Sequence, residues 1–123
     1  MLFSALPSFG QTRADSLWGV WIDQTQADSN RFNAFNKYIW EEYLFYDPDS
    51  AYYLAQILYD SAKAVDSKQH MAKANNTIGV YFAVTNQQDS AIFYYEKSIA
   101  VMNEIGDKKG IASTLNNIGS IYH

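Results

Sequence analysis

Side chains that could carry catalysis are sparse in this sequence. There is no cysteine, which removes disulfide frameworks, Cys-ligated zinc, iron–sulfur clusters and thiol nucleophiles together. The two histidines, His70 and His123, lack the closely spaced His or Cys partners that a metal site requires. His70 falls in the first turn of an expected helix and is expected on the surface. Gly106 and Gly110 flank Lys108-Lys109, but their spacing is not that of a phosphate-binding loop. No Gly-x-Ser-x-Gly nucleophile elbow occurs. Asp47 and Asp49 resemble a carboxylate pair, yet helix capping explains them better. Glu41-Glu42 reads as a solvated face, and Tyr94-Tyr95 as surface and core of one helix. These residues are therefore expected to hold no enzyme, no metal and no cofactor. What does recur is asparagine: Asn36, Asn76 and Asn116 lie forty residues apart in turn. A carboxamide donates and accepts at once. Such a ladder suits the grip of a peptide backbone, and it equally suits bonds between neighbouring helices that hold a stack.

The elements that must position these groups follow from the same period. Asp49-Ser50-Ala51 and Asp89-Ser90-Ala91 share the offset of forty, as do Asn76-Thr77-Ile78-Gly79 and Asn116-Asn117-Ile118-Gly119. Lys68 with Lys108, Ala72 with Ala112 and Phe82 with Tyr122 keep it without a gap. Apolar residues spaced by three and four predict helices over 29–45, 48–65, 68–85, 89–105 and 108–122. Asp47-Pro48 and Asp107 are start signals. Asp66 or Ser67 caps the start at 68, and Gly106 is a stop. A short leading helix is expected over 14–22, with Trp18 and Trp21 covering the first pair or, alternatively, forming a partner-binding aromatic patch. The expected fold class is all-α, an array of antiparallel helix pairs.

These residues resemble the tetratricopeptide repeat family over roughly 29–123. Ile78-Gly79 stands for its Leu-Gly, Phe82 for its first-helix aromatic, and Ala91, Tyr95 and Ser98 for its second-helix positions. Leu115, Ile118-Gly119 and Tyr122 repeat the match. The family's usual unit is 34 residues; the forty-residue spacing resembles the variant in kinesin light chains and many bacterial signalling proteins. Two departures stand out. Asn103 holds the place of the closing proline. In the first unit the offset of forty puts Ile39 at the glycine site and Glu42 at a core position, whereas a turn one residue shorter puts Trp40 at the glycine site and Tyr43 at the core position. The resemblance implies a superhelical solenoid of about two and a half repeats: 29–66, 67–106 and the first helix of a third over 107–123, after a leader at 1–10 and a cap at 11–28. It also implies a concave groove lined by Asn36, Lys37 and Trp40 (with Asn33), by Lys73, Asn76, Thr77 and Val80, and by Ser113, Asn116, Asn117 and Ser120. A clamp for C-terminal carboxylates needs more groove lysines than Lys37 and Lys73.

Composition bounds the partners. The 123 residues are 48% hydrophobic and carry a net charge of −4, so no basic footprint for nucleic acid is expected. No apolar run is long enough for a membrane span. Residues 2–10 read as the back half of a secretory signal, or else as an apolar arm; export to the periplasm is expected, with a cytoplasmic location as the alternative. The uncovered face of Leu115, Ile118 and Tyr122 implies a longer chain. The resulting expectation is a scaffold for a peptide or protein ligand, resembling the N-terminal sensory region of a Bacteroidetes-type signalling protein. The alternatives are the regulatory input of a histidine kinase or nucleotide cyclase encoded beyond His123, or a free-standing adaptor.

Overall fold

The computed structural model describes residues 12–122, and those residues are helical with no strand. The elements are α1 (Arg13–Ile22), α2 (Asp28–Glu42), α3 (Pro48–Ala64), α4 (Lys68–Val84), α5 (Gln88–Ile105) and α6 (Lys108–Ile121). The leader expected at 1–10 lies outside the described residues.

From α2 onward a helix begins every twenty residues, at 28, 48, 68, 88 and 108. The local chemistry explains this pitch. The Asp47 and Asp107 side chains accept from the N–H groups of Ser50 and Gly110, which satisfies donors a helix start leaves free. Pro48 sits at the first helical position, where its missing N–H is no loss. Helices α3, α4 and α5 end alike. Asp66, Asn86 and Gly106 take positive φ of 55°, 62° and 76°. The following N–H groups of Ser67, Gln87 and Asp107 then reach back to the carbonyls of Ala62, Phe82 and Met102, each at 2.8 Å. This left-handed closure caps the last carbonyls and fixes the turn length. Ser67 precedes α4 as expected, but its hydroxyl turns to His70 instead of capping.

Consecutive helices pack on one another, and α4 also touches α2 and α6. The period is written into burial: Ala51 and Ala91, Ala55 and Tyr95, Leu58 and Ser98, and Ala62 and Met102 are all buried. Between α2 and α4 the Thr77 hydroxyl donates to Asn36 Oδ1 at 2.7 Å. Between α4 and α6 the Asn117 amide donates to Asn76 Oδ1 at 3.1 Å. The two bonds join equivalent positions, so the gapless offset of forty extends through α2. No charge enters the core there. Helix α2 stops at Glu42, two residues short of the place matching Val84, and Glu42 is exposed. Leu44 is buried in its stead, its N–H bonded to the Ile39 carbonyl.

Helix α1 covers the outer side of α2. The Trp21 ring stacks on Phe35 at 4.0 Å, and Trp18 meets Phe35 and Tyr38. The Arg31 guanidinium lies over the Trp21 ring and donates to the Trp21 carbonyl. At the other end Ile118 packs on the core, while Leu115 is 53% and Tyr122 73% exposed.

Candidate binding cleft

Helices α2, α4 and α6 share a face, and a cleft of about 540 Å³ opens along it. Asn36, Lys37 and Trp40 from α2, Lys73 and Asn76 from α4, and Ser113 from α6 line it. All six are positions that the repeat-family resemblance places in the groove. Asn33 lines it too.

Thr77 and Val80 do not reach the cleft. Both are buried, because α2 and α4 cross closely enough to cover the inner side of α4. Thr77 instead forms part of the cleft's support. The Trp40 indole N–H donates to its hydroxyl at 2.8 Å, and that hydroxyl donates to Asn36. This relay fixes the indole and the carboxamide together. Asn116 is exposed outside the cleft lining. Asn117 is committed to Asn76, and the Ser120 hydroxyl donates to the Asn117 carbonyl at 2.7 Å. Of the asparagine ladder, Asn36 and Asn76 face the cleft while bonding a neighbouring helix, and among the described residues Asn116 does neither. Thr77→Val would leave the Trp40 N–H without its acceptor. A stability loss of about 1–3 kcal/mol is expected, with a shift in Trp40 emission. An unmoved denaturation midpoint would show the relay to be idle.

The sequence missed several contributors. Glu41, Gln69, Lys109 and Asp107 also line the cleft. Glu41 is held by the Arg13 guanidinium at 2.6 and 3.0 Å, which keeps its carboxyl below the usual range. The Asp107 carboxylate is occupied by the Gly110 N–H. With Glu41 paired to Arg13, the lining carries Lys37, Lys73 and Lys109 against the one carboxylate of Asp107, a surplus of positive charge.

His70 overturns its expected place on the surface: it is 3% exposed. It packs edge-on against Phe32 at 5.4 Å. The Asn33 carboxamide, contributed by the preceding unit, is the reason a polar ring can be buried here. Asn33 Oδ1 takes the Nε2–H at 3.1 Å, and the Ser67 hydroxyl donates to Nδ1 at 2.8 Å. Both contacts suit the neutral imidazole with its proton on Nε2. Lys73 also donates to Asn33 at 3.1 Å. Burial first, and the Lys73 charge second, hold the His70 pKa below its ordinary 6.5.

This sets a pH dependence. The folded chain prefers the neutral ring, so below the unfolded value of about 6.5 the unfolded chain binds more protons. Stability from this group is complete above that pH, declines as pH falls through it, and levels off below the folded pKa. His70→Gln keeps an N–H for Asn33 without titrating. It is expected to flatten the loss of melting temperature between roughly pH 7.5 and 5.5. Parallel slopes in the two proteins would refute the assignment.

Among the described residues no group of three His, Cys, Asp or Glu side chains could hold a metal ion. Among them no helix is long and apolar enough to cross a membrane. Comparison with family models, curated proteins and solved structures finds no match to this chain.

Proposed function

We propose that the chain is a tetratricopeptide-repeat-like scaffold that holds an extended peptide or protein segment in the cleft between α2, α4 and α6. One observation carries this reading: three helices, spaced forty residues apart, present Asn36, Lys37, Trp40, Lys73, Asn76 and Ser113 to a single cleft. Carboxamides and a hydroxyl are the groups that pair with a peptide backbone. Trp40 adds a rigid ring whose N–H is already satisfied, a favourable anchor for a partner side chain. Lys37, Lys73 and Lys109 select acidic side chains in that partner. The repeat pattern and its resemblance support the wider reading, an exported sensory part of a bacterial signalling chain whose catalytic output is encoded elsewhere.

Display of a random peptide library on the immobilised chain tests this. Peptides bearing Asp or Glu are expected to enrich, and their affinity should fall at least tenfold with Lys37→Glu and Lys73→Glu together. The loss should shrink at high salt, where such attractions are screened. No enrichment, or enrichment indifferent to those substitutions, would defeat the proposal.

A further inference from the structure

A second cleft, of about 200 Å³, lies away from the first, between α3, α4 and α5. At its base is Asn75, in the interior of α4 and only 4% exposed. Among the described residues its carboxamide has no hydrogen-bond partner, and no fully enclosed side-chain polar atom there is left unsatisfied. The amide therefore spends its free surface on the cleft.

Packing does not require an asparagine here. The residues forty before and after it are Phe35, buried, and Leu115. Asparagine is also a poor helix former, because its amide competes for backbone groups. The polar atoms of Asn75 are not fully enclosed, so what bonds them, water or a ligand, enters by the cleft.

The walls define that ligand. Tyr52 and Tyr94 line the cleft, and both are locked in an aromatic run: Tyr52 stacks on Tyr81 at 4.6 Å, and Tyr94 on Phe82 at 5.4 Å. Asp60 and Lys97 line it too. They carry opposite charges, yet among the described residues neither joins an ion pair, so they stand apart within one cleft. Lys97 is steadied over the Tyr94 ring at 5.2 Å. A carboxylate, an ammonium and a carboxamide between rigid rings complement a molecule that carries one ammonium and one carboxylate. The cleft is smaller than the roughly 300–1,000 Å³ of sites for drug-sized ligands, which limits that molecule to few atoms. We infer that this cleft binds a free amino acid, with Lys97 on its carboxylate, Asp60 on its ammonium and Asn75 bonding both ends from beneath.

The test is calorimetric titration of the chain with the common free amino acids, with the Asn75 side-chain NH2 followed by NMR. Each amino acid is compared with its amide, which lacks the carboxylate, and its N-acetyl form, which lacks the ammonium. At least one amino acid is expected to bind and to move the Asn75 signal, with both derivatives tenfold weaker or more. Asn75→Leu should fold at least as well as the parent and lose that binding tenfold or more. Lys97→Gln, at an exposed site, should do the same without any risk to folding. The inference is overturned if no amino acid moves the Asn75 signal at millimolar concentration, meaning the cleft holds water only. It is equally overturned if the derivatives bind as well as the parents, or if binding survives both substitutions. None of these outcomes depends on the peptide cleft.

Discussion

Gly79→Ala is expected to destabilise the fold by about 1–3 kcal/mol, although alanine is the better helix former by about 1 kcal/mol. A Cβ at Gly79 would lie 2.5 Å from two carbons of the Tyr95 ring. Tyr95 is itself 1% exposed and has nowhere to retreat. Its desolvated phenol is pushed up to about 12, so it stays a neutral wall at ordinary pH. Tyr95→Ala alone should cost about 3–5 kcal/mol, as other large aromatic truncations do. The preceding unit shows how the two positions compensate. There Ile39 stands at the glycine site and Ala55 at the tyrosine site, and both are buried. Gly79→Ile combined with Tyr95→Ala copies that arrangement and should be more stable than the sum of the single changes by at least 1 kcal/mol, the size of coupling found between touching residues. Urea denaturation of the four proteins measures this. Strict additivity would mean that the two units do not share a packing scheme.

Trp21→Ala carries the second large effect, a loss of about 3 kcal/mol. The ring covers Phe35 by stacking and holds the Arg31 guanidinium. Without it, Phe32 and Phe35, both buried, would meet water along α2. Trp18 is more exposed, at 40%, so Trp18→Ala should cost less, about 2 kcal/mol, in proportion to the apolar area it buries. If the two tryptophans contributed equally, α1 would not be the one-sided cover described above.

Much of this architecture is legible in the residues because helix ends obey local chemistry. Asp47-Pro48, Asp107 and Gly106 mark boundaries that need no knowledge of the fold. The repeat-family resemblance likewise names six of the side chains that meet at the α2–α4–α6 cleft. What the sequence hides depends on neighbours from another unit. His70 reads as a surface residue until Asn33 and Phe32, thirty-seven and thirty-eight positions earlier, are seen to receive it. Thr77 reads as groove until α2 covers it. Glu42 falls at a core position only if the offset carries the helix forward; the chain leaves the helix there and buries Leu44, so Glu42 lies on the solvated face. Asn75 is conspicuous only once the cleft beside it exists.

The twenty-residue pitch of helix starts has a consequence for how such a chain changes length. The turns after α3 and α5 close identically, so joining residue 67 directly to residue 108 would leave the junction's geometry intact. Helix α3 would then face α6, which offers Ala112, Ile118, Gly119 and Tyr122 where α4 offered Ala72, Ile78, Gly79 and Phe82. A recombination event that removes or duplicates forty residues in frame preserves the left-handed closure of each turn and every small-residue crossing. One that removes thirty-nine or forty-one breaks both. The gene behind this chain can therefore lengthen or shorten its stack in whole units without disturbing the turns that join them.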